Sequence, residues 1–529
     1  MSGLLVGVDS GLTVTKAAVF DQAGNCLGVA AEPADRTVLP GGLVEIDPEE
    51  QWRGAARTIR GALAAAGVSA AAVAGLGVCG HGDCVYLVDA HGEPVRPAIP
   101  SLDFRGARIA RDWARDGVAS RLLGLIGEPP HPHHVHSTLR WLLDHEPDSL
   151  ARTRWLLFAK DWLKLRLTGT VSTDPTDAAA GFTDVHSGEY SDEALRLCGL
   201  ACLADRLPPV RSCGEVVGEV TQDAARQTGL APGTPVVSGL HDISAAALGA
   251  GLADTGTALL VAGTYSVNAV LSDHPRPGEQ WLCRQWAEPG RWIHMATSAT
   301  SASNLDWVLD LVAPSSSPDE SRYEQLARQV AEVLTDERVP VFHPYLFGIP
   351  AAENASGAVL GLRAWHSRAH VYRAVLEGIA CAHRAHLDSL APCGSVDRVL
   401  LAGGAARSPL WTQLFADILG LPVHVAAVRE AGTLGAALCA AVGAGGQASL
   451  AAAMAASSRP RRVCYPDPLR RDQAAKTFRR FTSTSTAVRS VWSALDADGA
   501  PVTPDPATAD PATADPATQA PVTAGERAR

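Results

Sequence analysis

Short apolar runs recur along the chain, and most end in a turn rich in Gly, Asp or Thr before helical spacing takes over. Residues 4–9 (LLVGVD) are a buried-strand run that breaks at Ser10-Gly11, returns over 16–21 and turns at Gly24-Asn25 into a third strand over 26–31. An amphipathic helix with acids in its first turn follows over 48–66, then an apolar strand over 73–78. Residues 86–89 and 94–99 read as strands flanking a His91-Gly92 turn, and 107–113, 137–144 and 156–167 as helices. At the middle, the run 235–238 leads into Gly239-Leu240-His241-Asp242, a small-residue helix over 243–251, and a second run over 258–262 that ends in Gly263-Thr264. The pattern then begins again. Strands are predicted over 281–288, 292–296, 339–345, 396–402 and 423–427, and helices over 305–312, 322–333, 369–390, 409–419 and 432–444. Strand–turn–helix units in both halves, with a break near residue 250, predict an α/β protein of two domains with a cleft between them.

Beyond Gly445 the spacing still allows helices over 448–456 and 474–481. From Pro501 the text is repetitive: Asp505-Pro-Ala-Thr-Ala recurs from Asp510 and, nearly, from Asp515. Proline, small residues and acids without aromatics cannot bury enough surface to fold, so 498–529 reads as a disordered tail.

Composition narrows the function classes. The 529 residues carry a formal charge of −11, which argues against a nucleic-acid partner, because phosphate backbones need a basic surface. No apolar run reaches the length of a membrane span, and MSGLLVGVDSG has no basic region ahead of its apolar residues, unlike a signal peptide. The 11 cysteines are scattered, with no CxxC, which suits reduced thiols in a cytoplasmic protein.

Several turns carry candidate chemistry. Asp242 stands at a strand end, where catalytic groups are commonly held, although Asp is also a favoured N-cap. Asp9, Gly11, Thr13 and Lys16 share a tight turn that suits a metal-bound phosphate. Gly403-Gly404 opens a helix after a strand and suits a nucleotide near exposed amides. Gly75–Gly80 matches GxGxxG, but His81 onward resumes as a strand and offers no helix N-terminus for a pyrophosphate. The run His131-Pro-His133-His134-Val-His136 has the density of a metal site but the prolines and alternation of a loop.

Together these segments resemble the FGGY carbohydrate kinases. The matching stretches are GVDSGLTVTKAAVFD (7–21), RPAIPSLDFRG (96–106), AKDWLKLRLTG (159–169), TDPTDAAAGF (173–182), GTPVVSGLHDISAAALGAG (233–251), AGTYS (262–266), VYRAVLEGIA (371–380), LAGGAARSPLWTQLFADILGLPV (401–423) and REAGTLGAALCAAVG (429–443). They stand in family order across about 4–481. The resemblance implies two ribonuclease-H-like domains of the actin/hexokinase type, a sugar-binding one over 1–250 and a nucleotide-binding one over 251–482. It implies ATP and Mg²⁺, with Asp242 as catalytic base, Asp9 holding the metal through water, Thr13 and Lys16 in one phosphate loop and Gly263 and Thr264 in another. Gly403 and Gly404 fall in its adenosine motif, and His81, Asp103 and Arg105, with Asp242, line its sugar pocket. Leu12 stands where many members have Thr. The expected reaction is phosphorylation of a terminal hydroxyl of a xylulose-like ketopentose. A polyol such as erythritol is the alternative substrate, and a non-catalytic sensor the alternative class. A homodimer is left open.

Overall fold

In the computed structural model of the protein the described residues are 3–263, 265–312, 320–335, 338–348, 355–428, 430–457 and 460–496. The repetitive segment 498–529 and Thr264 lie outside them. Numbering the strands of the two large sheets in chain order, the first comprises β1 (Leu4–Ser10), β2 (Val14–Phe20), β3 (Cys26–Pro33), β4 (Val73–Gly80), β5 (Val216–Glu219), β6 (Pro235–Val237) and β7 (Leu240–His241). Its spatial order is β3-β2-β1-β4-β6-β5, with β7 also on β4. The second comprises β8 (Thr257–Ala262), β9 (Ser266–Ser272), β10 (Leu282–Gln285), β11 (Trp292–Ser298), β12 (Arg398–Ala402), β13 (Val423–Ala426) and β14 (Pro460–Cys464), in the order β10-β11-β9-β8-β12-β13-β14.

The two sheets repeat one plan. An antiparallel meander (β1–β2–β3; β8–β9–β11) is extended by two parallel strands (β4 and β6; β12 and β13). Parallel strands end at the same edge, so the turns after β1, β4 and β7, and those after β8 and β12, gather at two such edges. Residues 94–99, read from the sequence as a strand, make only isolated bridges, Val88 with Pro94, Val85 with Ile99 and Ile46 with Ala98.

Helices cover the sheets where their caps permit. α1 (Pro48–Ala66) starts at Asp47, which accepts from Glu49 and Glu50 N–H, and stops at Gly67 in the left-handed region. Trp52 and Ile59 of α1 pack into the first core. Between the sheets lie α2 (Asp242–Ala250) and, from far later in the chain, α3 (Ala431–Gly443), which packs on α2, β1 and β4. Their small residues are the condition for that packing. A Cβ on Gly77 would stand 1.9 Å from Ala436 O, and one on Gly435 2.0 Å from Ala245 O. The core there mixes Leu5 and Leu248 with Leu259 and Leu434, so the two halves share one apolar seam. The last helix, Arg471–Asp496, is much longer than the sequence pattern suggests and buries Phe481, Val488 and Trp492 against the second core. No helix of the described residues is long and apolar enough to cross a membrane.

Candidate active site

The edge of the first sheet collects side chains. Across β1 and β4 Asp9 pairs with Cys79, and across β4 and β7 Gly80 pairs with His241, which sets Asp9, His81 and Asp242 at the same end of three parallel strands. Asp242 is the first residue of α2, and the N-cap is His241, so the capping reading of Asp242 does not hold. Asp242 Oδ1 accepts from Ile243 N at 2.6 Å and lies 2.9 Å from His241 Nδ1. Its side chain is 31% exposed, enough to meet a substrate.

Asp9 faces the first turn of α3, where a Cβ on Gly432 would stand 2.2 Å from its Oδ2. Burial, then repulsion from Asp242, push its carboxyl up to about 7 against the pull of a Cys79 hydrogen bond and of Lys16. Lys16, cross-strand from Asp9, holds Glu430 at 2.9 Å, and Thr13 is exposed at the tip of the same hairpin. His81 donates its backbone N–H to Ser10 O at 3.0 Å; burial pushes its imidazole down to about 4, so the ring is neutral, and its buried Nδ1 has no hydrogen-bond partner among the described residues.

Asp103 and Arg105 are placed differently from their neighbours in the expected pocket. Both are buried and bound to each other: Asp103 Oδ1 accepts from Arg105 N and Nε at 2.8 Å, while Oδ2 accepts from Arg105 Nη2 at 2.9 Å and Val44 N at 2.7 Å. Arg105 also reaches Glu45 at 3.1 Å and lies over Trp141. Both Asp103 oxygens are thus taken by protein donors. Phe104 between them is turned out, 45% exposed, with its ring edge-on to His133.

The edge of the second sheet collects backbone. Gly403 follows β12 at φ 87° and ψ −165°, and a Cβ there would stand 2.7 Å from Ala262 C and O and 2.9 Å from Gly263 N. Only glycine lets the turns after β8 and β12 come this close. Gly263 O accepts from Ala302 N at 2.8 Å, and Gly404 begins a short 3₁₀ turn ahead of a helix over Pro409–Leu419.

Two clusters escaped assignment in the sequence. Behind His241, Lys160 Nζ lies 2.5 Å from Asp161, 2.6 Å from Asp174 and 3.0 Å from Asp177, all fully buried. Lys164 bonds Asp161 and Ser238 O, and Thr176 Oγ1 accepts from His241 N at 2.8 Å. This network holds the backbone that leads to Asp242. Burial lifts the Asp177 carboxyl to about 7 despite Lys160. The motifs AKDWLK and TDPTD flagged these segments without revealing that they meet. The second cluster joins the halves: Arg284 of β10 bonds Asp83 and Glu128, and His134 stands 3.4 Å from Glu128. Asp83, Glu128 and His134 are close enough to share a cation, and the Arg284 guanidinium supplies one.

Models of the N-terminal and C-terminal domains of the FGGY family of carbohydrate kinases match residues 4–249 and 258–444. The chain belongs to this family. It is 31% identical over 485 residues to the L-xylulose/3-keto-L-gulonate kinase of Escherichia coli K12, covering 91% of this chain and 96% of the relative. It is 33% identical over 451 residues to the xylulose kinase of the same organism, covering 83% and 89%. The crystal structure of xylulose kinase from Rhodospirillum rubrum superposes with a TM-score of 0.84 at 28% identity, covering 92% of this chain and 99% of that one. The protein is therefore an FGGY carbohydrate kinase, with the mixed α/β two-domain fold of that family.

Proposed function

We propose that this FGGY kinase transfers the γ-phosphoryl group of ATP to a terminal hydroxyl of a ketopentose of the xylulose class, with Asp242 as general base. The observation that carries the reading is the convergence of Asp9, His81 and Asp242 at one sheet edge, with a glycine-lined edge of the second sheet as its counterpart. A sugar hydroxyl is a poor nucleophile, and a part-exposed carboxylate can take its proton as the phosphoryl group departs. Neutral His81 stands beside Asp242 at the edge where the sugar would bind. Asp103 and Arg105 act as a brace for the loop that presents Phe104 rather than as direct sugar ligands.

Residues 1–250 bind the sugar and 251–482 the nucleotide in this reading. Thr13, Lys16, Gly263 and Thr264 attend the phosphates and Gly403-Gly404 the adenosine. Asp9 fits a divalent cation: its carboxyl is lifted to about 7 by burial and a neighbouring anion, a cost that a cation removes. Bound there, Mg²⁺ would neutralise charge on the transferring phosphates. The eleven cysteines are all free, which supports a reducing, cytoplasmic setting.

The substrate class is supported by the names of the relatives and is tested by ADP release with D-xylulose, L-xylulose, 3-keto-L-gulonate and erythritol. Highest kcat/KM on a pentulose is expected. A preference for erythritol would move the assignment to a polyol, and binding of a sugar without turnover on any would move it to a sensor.

A further inference from the structure

Arg284 takes no part in the chemistry above, yet it is buried and carried across from the second sheet to the base. Its Nη2 donates to Asp83 Oδ1 at 2.9 Å, Asp83 Oδ2 at 3.2 Å and Glu128 Oε2 at 2.8 Å. Its Nη1 lies 3.3 Å from Nε2 of His241, whose Nδ1 is 2.9 Å from Asp242 Oδ1. The strand that carries it is pinned to the first half by Cys283 N, which donates to Gly127 O at 3.0 Å. His241 is held in two further ways. Its backbone N–H donates to Thr176 Oγ1, and the loop over its ring, where Asp83 adopts φ 52°, is so close that a Cβ on Gly82 would stand 2.1 Å from Nε2.

Nδ1 faces Asp242 Oδ1 at 2.9 Å and Ile243 N at 3.1 Å, and the guanidinium closes the Nε2 end, so the ring cannot swing away from Asp242 while Arg284 is in place. Asp242 Oδ1 accepts from Ile243 N at 2.6 Å and lies 2.9 Å from Nδ1, and Oδ2 remains for the sugar hydroxyl. Burial and Arg284 oppose a second proton on the ring, but Asp242 and Asp177 outweigh them and raise the imidazole to about 9, so Nδ1 carries a proton toward Asp242. The charged and titratable groups around the relay are Asp9, His81, Asp83, Glu128, His133, His134, Asp177 and Asp242. A separate metal at Asp83, Glu128 and His134 is unnecessary, since the guanidinium already balances the two acids.

We propose that Arg284 is a positioning residue for the base, acting through His241, so that Asp242 is correctly set only while β10 is docked on the first half. This rests on Asp242 being the base. The test is a double-mutant cycle on kcat with Arg284→Lys, which keeps a cation between Asp83 and Glu128, and His241→Asn, which keeps a donor near Nδ1 but removes the Nε2 end of the ring that meets Arg284.

Each single change should lower kcat about tenfold, a size typical of coupled contacts, with KM for ATP unchanged and a melting temperature showing a folded protein. In the His241→Asn background Arg284→Lys should cost less than about twofold more. Additive losses, or a wild-type kcat for Arg284→Lys, would overturn the relay and leave Arg284 as a structural latch. Should Arg284→Lys not fold, the same cycle with Glu128→Gln, which loosens the guanidinium without removing it, reads the same coupling. The failure modes separate: an active Asp242→Asn defeats the base itself, whereas an inactive Asp242→Asn with an additive cycle defeats the relay alone.

Discussion

The two large sheets share a strand order but finish differently. At the end of the first stand ionisable side chains, Asp9, His81 and Asp242. At the end of the second stand glycines whose backbones nearly touch, Gly263 and Gly403. One scaffold therefore provides two kinds of surface. Side chains can take up protons and hold cations, whereas bare backbone admits a bulky polyanion close to amide N–H groups. The difference teaches that a repeated topology sets where function sits, while the turn residues decide what it is.

Beyond the base itself, the largest effect is expected at Asp9. Asp9→Asn should lower kcat by at least about 10- to 100-fold, the loss usual when a residue that supports a metal from outside its direct ligands is removed. The same change sharpens the comparison through stability. The Asp9 carboxyl is raised to about 7 in the folded protein, so without metal its ionisation opposes folding progressively as pH rises from about 4 to 7. Asp9→Asn should consequently melt higher than wild type at pH 8 and equal to it near pH 4, in thermal scans without Mg²⁺. A lower melting temperature at pH 8 would contradict the placement of Asp9 in a strained anionic pair.

On the second sheet, Gly403→Ala should raise KM for ATP more than KM for the sugar and lower the melting temperature by a few degrees. The new Cβ meets Ala262, and a non-glycine at that φ and ψ costs about 1–3 kcal/mol. Equal effects on both substrates would blur the division between the two edges. The smallest catalytic effect is expected at Asp103. Asp103→Asn should reduce melting temperature, because a buried Arg105 loses its charged partner, while KM for the sugar changes less than about threefold. A rise in sugar KM at unchanged stability would return Asp103 to the pocket.

Much of this was legible in the sequence because the signals are local. The helix read over 409–419 matches the observed Pro409–Leu419, whose ends carry local signals: Ser408 is its cap, Pro409 its first residue and Gly420 its stop. The turns holding Asp9, Asp242 and Gly403 announced themselves by glycine and acid at strand ends. What stayed hidden is long-range. Arg284 lies in a strand that reads as ordinary alternation, and its partner Asp83 is 201 residues away. Lys160 and Asp174 give no periodic cue that they meet. Asp103 and Arg105 carried a pocket motif, but only the fold shows that each is taken up by the other. The final helix was underestimated because its exposed positions dilute the apolar stripe that Phe481, Val488 and Trp492 form.

The central claim, that the first sheet's edge does the proton chemistry, is tested most directly by Asp242→Asn. Turnover, sugar affinity and melting temperature should be measured on one preparation. The account predicts a folded protein that binds the sugar within a fewfold of wild type and loses about 10²- to 10⁴-fold in kcat, the usual loss when a general base is removed. A folded variant with near-normal kcat would contradict it.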